Sequence, residues 1–276
     1  MTNPAPSRSQ SARSDQSRAR ILQAAIREFG ANGLAGARTE QIAEAAGVNK
    51  ALLYYYFSNK EALYIAAIEE VVAETQAASL AVLRADVSAG ERFLIIVLGN
   101  FDRMHTNRTV QNLMQQEMIR LHRGEANALA LLADKLIGPL WLRVREVVEA
   151  GVGAGELIAV EWTQMLYAGI GANIFYFLSA PLMGLALGFE PLERKTLKFR
   201  RKAAIEYLGQ AIFIDRKRGA RVAARVLAAT PMPRTGQSVL PKSQKGVPRA
   251  NRSQAPQAQN RKNNPVGTTA VDARHK

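Results

Sequence analysis

Residues 39–60 read TEQIAEAAGVNKALLYYYFSNK, and their pattern decides the architecture of what surrounds them. Thr39 is expected as an N-cap, its hydroxyl accepting from a backbone N–H two or three residues on. Over 40–46 the apolar Ile42, Ala43 and Ala46 recur at helical spacing. Gly47 supplies the permissive backbone of a turn, Val48 fills the angle, and Asn49 caps a second short helix over Lys50–Tyr56. Two helices joined by so tight a glycine-containing turn form the helix-turn-helix that lays its second helix in the major groove of DNA.

Helical geometry sorts the side chains of that second helix. Leu53 and Phe57, four apart, share the inner face, whereas Ala51, Leu52 and Tyr55 lie on the far side and Tyr54 and Tyr56 flank it. An aromatic core patch is the competing reading of Tyr54-Tyr55-Tyr56-Phe57. Four consecutive residues sweep about 300° around a helix, so they cannot all share one buried face. The outer three are therefore placed to meet base edges and the flanking phenols to donate to phosphate oxygens. Lys60 opens the next helix, where its ammonium and the free backbone N–H groups grip a further phosphate.

The stretch 20–63, RILQAAIREFGANGLAGARTEQIAEAAGVNKALLYYYFSNKEAL, resembles the N-terminal domain of the TetR (tetracycline-repressor-like) family. The likeness runs without gaps through AAIREFGANG, IAEAAGVNK, LYYYF and SNKEAL. It implies a homodimer that binds palindromic double-stranded operator DNA and releases it when a small-molecule effector enters the C-terminal domain. The family's phosphate-contacting positions fall on Thr39, Tyr54, Tyr55 and Lys60, and its base-reading positions on Lys50, Ala51, Leu52 and, in some members, Tyr55. The usual Ser or Thr pair before helix two is here Arg38-Thr39, which implies a cationic contact from Arg38 in place of a hydroxyl. Ala51-Leu52 replaces a small polar or Gly-Thr pair, a change that favours thymine methyls over hydrogen-bonded readout.

Composition bounds the rest. With 47% hydrophobic residues the chain can bury a sizeable core, and with no cysteine it has neither disulfides nor thiolate chemistry. The polar start MTNPAPSRSQSARSDQSRAR lacks the apolar core of a secretory signal, so a cytoplasmic protein is expected. Net charge is +14, yet from residue 216 onward fourteen Lys and Arg face a single acid, Asp272, so the excess belongs to the tail. The expected fold is all-α: a disordered basic arm at 1–16, a three-helix DNA-binding domain at 17–63, a helical ligand-binding and dimerisation domain at 64–215, and a basic, largely disordered tail at 216–276. Six prolines from Pro231 to Pro265 bar any long helix there. Between these limits, helices are expected with Ile21, Leu22, Ala25, Ile26 and Phe29 as the first stripe, ended by Gly30 and Gly33, then at 60–84, 89–105, 109–122, 127–151, 161–179 and 192–214.

In the C-terminal half most apolar stripes are ordinary core. Candidates to line an effector cavity are the adaptable Phe101, Met104, Met114, Met118 and Trp141, with His105, Glu117 and Asn173 to orient a ligand. His105 follows Asp102 by one turn, but nothing in the spacing forces a metal site. No Ser-His-Asp order, phosphate-binding glycine loop or HExxH element is present, so neither an enzyme nor a cofactor is expected. The uncharged run 162–189 is long enough to span a bilayer. Gln164, Asn173, Pro181 and its glycines interrupt it, and Ala168, Gly169, Gly171 and Ala172 invite a close helix partner. The preferred reading is therefore a dimer interface formed by 161–179 and 192–214, as in the resembled family, rather than a membrane-associated helical protein. A helical ligand carrier without DNA binding is the other alternative.

Overall fold

The computed structural model describes residues 8–125 and 127–234. Twelve helices occupy the described residues: α1 (Arg8–Gly36), α2 (Thr39–Ala46), α3 (Lys50–Tyr56), α4 (Lys60–Leu83), α5 (Ala89–Thr106), α6 (Arg108–His122), α7 (Ala128–Leu132), α8 (Gly138–Gly153), α9 (Trp162–Leu166), α10 (Ala172–Leu187), α11 (Arg194–Ile212) and α12 (Arg216–Ala229). Single π-helical turns, Ala133–Ile137 and Tyr167–Gly171, join α7 to α8 and α9 to α10. Among the described residues there is no strand, and the fold is all-α.

Helices α1–α4 bury their apolar stripes together. Ile21, Ala25, Phe29, Ile42, Leu53, Leu63 and Ile68 lie in one core, which Leu113 of α6 and Leu129 and Leu132 of α7 complete. Truncating such a side chain, Leu53→Ala for example, removes about 2–5 kcal/mol in a typical core. A second core joins α5, α8, α11 and α12 through Phe93, Leu94, Val97, Val144, Ile205, Leu208, Val222 and Val226. A third, small cluster centres on Phe101, Phe177 and Leu197.

Four expectations need correction. The arm expected at 1–16 is helical from Arg8: no proline or glycine interrupts 8–20, Ser14 Oγ lies 3.0 Å from the Tyr56 hydroxyl, and Arg18 stacks on Phe57. Residues 1–7 lie outside the described residues. The tail expected from 216 begins with α12, whose Val222, Ala223 and Val226 are buried, so its basic composition hid an amphipathic helix. The disorder expected at 235–276 falls outside the described residues. Gly30 does not end α1. A Cβ there would stand 2.5 Å from the Thr109 carbonyl oxygen, so its hydrogen lets α6 cross α1 closely, and the kink comes at Gly33 with φ 69°. Helix α10 runs through Pro181 and ends at Gly188, φ 68°, whose N–H bonds back to Gly184.

Candidate nucleic-acid interface

Asn49 caps α3 through a 2.7 Å bond from the Leu52 N–H, and Asn59 does the same for α4 through the Ala62 N–H. Gly47 turns the chain with φ 65° in the left-handed region. Between them the backbone enters α3 at a fixed angle. Leu53 and Phe57 anchor that helix in the core, which leaves its opposite face in water.

Tyr55 is 80% exposed, Ala51 is exposed and Leu52 is half-buried, so these three form the solvent side of α3. Tyr54 is exposed at one edge of that face, while Tyr56 is half-buried at the other with its hydroxyl beside Ser14. Arg38 is exposed in the loop before α2. Lys60 lies at the first turn of α4 and donates 3.2 Å to the Ala35 carbonyl, a link between α4 and the end of α1.

Thr39 departs from its expected duty. The N-cap of α2 is Arg38, in extended conformation and without a side-chain cap. Thr39 is buried, and its hydroxyl lies 3.2 Å from that of Tyr54. Thr39 also donates to the Glu40 carboxylate at 3.5 Å, and with its one proton spent there the Tyr54 hydroxyl is the donor of the pair. Lys50 reaches back to Glu40, and each stabilises the charge of the other: hydrogen bonding and attraction hold the Glu40 carboxyl below its usual range and raise the Lys50 ammonium. Lys50 also lies 5.8 Å from the centre of the Tyr54 ring. Thr39, Glu40, Lys50 and Tyr54 thus form one polar cluster across the turn. Glu40 is the member sequence reasoning missed; Lys50 ten residues later on the next helix was the signal available.

The eight candidate effector residues are not brought together as one set. Met114 packs on the first core, Trp141 on the second, and Phe101 with Met104 on the third. Met118 faces solvent. Both oxygens of the fully buried Glu117 are committed, Oε1 to the Tyr64 hydroxyl at 2.7 Å and to Arg120, Oε2 to the Ala128 N–H. It ties α4, α6 and α7 together, and burial with this bond raises the Tyr64 phenol's pKa. Asn173 donates to the Val97 carbonyl at 3.0 Å and to Asn100, pinning α10 on α5. Asp102, the acid one turn before His105, is held by Arg201 through two 2.7 Å bonds. No group of three or more His, Cys, Asp or Glu suited to a metal occurs among the described residues.

Residues 21–67 match the family described as bacterial regulatory proteins, tetR family. The chain is 33% identical over 148 residues to the HTH-type transcriptional repressor NicS of Pseudomonas putida, covering 51% of this chain and 66% of that one. It is 54% identical over 52 residues to the HTH-type transcriptional regulator RutR of Escherichia coli K12, covering 19% of this chain and 24% of that one. The chain thus spans less than two thirds of either relative. Among solved structures, a transcriptional regulator from Saccharomonospora viridis in complex with choline shares the fold, with a TM-score of 0.57 at 16% identity over 72% of this chain and 98% of that one.

Proposed function

Because residues 21–67 make this chain a member of the tetR family of bacterial regulatory proteins, we propose that it is a ligand-responsive transcriptional repressor acting as a homodimer on a palindromic operator. One observation carries the reading: α3 is anchored by Leu53 and Phe57 and turns Ala51, Leu52 and Tyr55 outward beside a polar edge of Thr39, Tyr54 and Lys50. Base edges meet the first three, while Arg38, Thr39, Lys50, Tyr54, Tyr56 and Lys60 are assigned to the backbone or the groove rim. Such a role needs no catalytic centre, and the chain is read as a cytoplasmic non-enzyme. The Saccharomonospora regulator holds choline, which supports an effector site for a small organic molecule in the helices beyond α4.

The second subunit is assigned to α10 and α11. On α10, Phe175, Leu178, Leu182 and Leu185 recur three and four residues apart and all face outward. Phe199 and Tyr207 of α11 are exposed as well. A stripe of that length is a surface for another molecule, and a second copy buries α10 and α11 of both chains in a four-helix bundle. Dimerisation sets two α3 helices about 34–36 Å apart, one turn of DNA. An effector that binds one arrangement of the heads better than the other shifts the population and releases the operator. The same segment is long and apolar enough to cross a membrane, with 17% of its most apolar window buried, so flotation with lipid vesicles separates the two readings.

Selection of bound sequences from a random DNA pool tests the function. Enrichment of a palindrome whose half-sites lie one turn apart is expected; a pool that stays random at moderate salt overturns the reading.

A further inference from the structure

Among the described residues His105 is a buried polar side chain that packing in the three cores does not explain. It is 3% exposed, and neither ring nitrogen has a hydrogen-bond partner. Burial lowers its pKa, so the ring is neutral and carries one N–H donor and one bare acceptor. Buried polar groups are nearly always bonded, and an orphan at both ends is a standing cost that a ligand would remove.

The charges that act on His105 are Asp102, Arg108, Arg194 and Arg201. Asp102 is taken by Arg201 through two bonds, and a third from Arg201 goes to the Thr230 carbonyl at the end of α12. Among the described residues Arg108, Arg194 and Arg200 form no ion pair. Arg108 lies over the Phe177 ring at 5.9 Å and Arg200 over the Tyr176 ring at 5.4 Å, and partial burial lowers both guanidinium pKa values. A ring contact uses no N–H of a guanidinium, so the donors of both remain for a planar carboxylate. Phe101 supports both rings, at 6.4 Å from Tyr176 and 5.1 Å from Phe177. Half-buried Met104 and Met232 pack on this cluster, so its outer wall contains adaptable thioethers.

We propose that this junction of α5, α6, α10 and α11 is the effector site, and that its ligand is a carboxylate with an apolar body. The carboxylate takes guanidinium N–H donors of Arg108 and Arg200 and the N–H of His105, while the body replaces methionine against Phe101 and Phe177. The role of this site in regulation rests on the reading of the chain as a ligand-responsive repressor. Arg108 also offers a route outward. It precedes Thr109, whose backbone and methyl lie against α1 at Gly30, with no room for a Cβ between. A ligand that draws Arg108 inward shifts α6 where it touches the DNA-binding domain, and one that parts α10 from α5 shifts the proposed dimer face.

The test uses the full chain without DNA. Straight-chain carboxylates from butanoate to dodecanoate, and benzoate, are titrated by calorimetry, each beside the alcohol of the same body. Sodium phosphate serves as a head without a body. The ring signals of the three histidines are followed by NMR. At least one carboxylate is expected to bind about tenfold or more tightly than its alcohol, as charge-assisted bonds require, and to move the His105 signals while leaving His122 in place. Arg108→Gln and Arg200→Gln, each checked for unchanged thermal unfolding, should each weaken that carboxylate and leave the alcohol unaffected. Binding by none of the carboxylates, equal affinity for acid and alcohol, or phosphate binding as tightly as any carboxylate overturns the proposal. So does binding that leaves His105 unmoved. Operator selection is measured separately. A chain that selects a palindrome yet binds no carboxylate fails here alone, whereas one that binds the carboxylate but selects no DNA fails only as a regulator.

Discussion

The hydroxyl pair of Thr39 and Tyr54 shows how the recognition helix is held before any DNA arrives. Sequence spacing picks out both residues but assigns Thr39 to capping, because an N-cap threonine is the commoner use. What it cannot show is that the Tyr54 phenol lies 3.2 Å from the same hydroxyl. That contact depends on the angle between α2 and α3, a tertiary quantity. Asn49 was legible because its bond to Leu52 is local. With the pair in place, Tyr54→Phe should weaken operator binding about threefold to tenfold, the worth of one hydrogen bond, and by a similar factor on every operator variant. Fluorescence anisotropy on a panel of single-base changes checks this; a changed base preference would show that Tyr54 reads sequence. Glu40 makes the opposite prediction. Its carboxylate holds Lys50 in the free protein, so Glu40→Gln should release the ammonium to phosphate. Affinity for random-sequence DNA at low salt should rise, and the slope of log K against log salt should steepen by up to about one unit. Unchanged affinity and slope would mean that Lys50 does not reach phosphate.

At the scale of elements, the helices whose apolar residues keep strict period were legible almost to the residue. Expected 60–84 and 89–105 match Lys60–Leu83 and Ala89–Thr106. The misses at the two ends, the arm and the tail, have a common cause: composition outweighed pattern. Residues 216–229 read as tail because five of the fourteen residues in RKRGARVAARVLAA are basic, yet Val222, Ala223 and Val226 still recur on one buried face. Three of the basic side chains are paired, Arg218 with Glu156, Arg225 with Glu91 and, at 4.0 Å, Arg221 with Asp215. The crossing of α11 and α12 depends on two glycines, since a Cβ on Gly219 would sit 1.8 Å from the Gly209 carbonyl oxygen. Backbone cannot yield as a flexible side chain does. Gly219→Ala should therefore push α12 off the second core and cost about 1–3 kcal/mol, the usual range for overpacking. Thermal unfolding of the full chain measures it, with Ala224→Ser on the exposed face as the control. A melting temperature unchanged by Gly219→Ala would mean that α12 is not fixed at this crossing.

At the scale of the whole molecule, two kinds of surface have to work together. On the proposed reading, the outward face of α3 meets half an operator and a second copy supplies the other half. Linking two half-site contacts through a dimer makes the second binding event intramolecular and raises affinity by about 10²–10⁴ without adding a contact to either. The exposed stripe on α10 is where that gain is expected to originate, because Phe175 and Leu182 are each about two-thirds exposed in the single chain and removing such area from water is the driving force of association. Phe175→Glu with Leu182→Glu places two carboxylates on each chain within that stripe. A two-fold pairing brings the added charges of one chain against the same patch of the other, so the change opposes pairing without touching the first core, which lies in α1–α4, α6 and α7. Sedimentation should show a dimer for the wild-type chain and a monomer for the double variant. The variant should keep its helical content and its weak affinity for an isolated half-site, while affinity for the full palindrome falls toward that of the half-site. A variant that stays dimeric would move the interface away from α10. One that becomes monomeric yet binds the palindrome at full strength would show that the two heads do not cooperate through it.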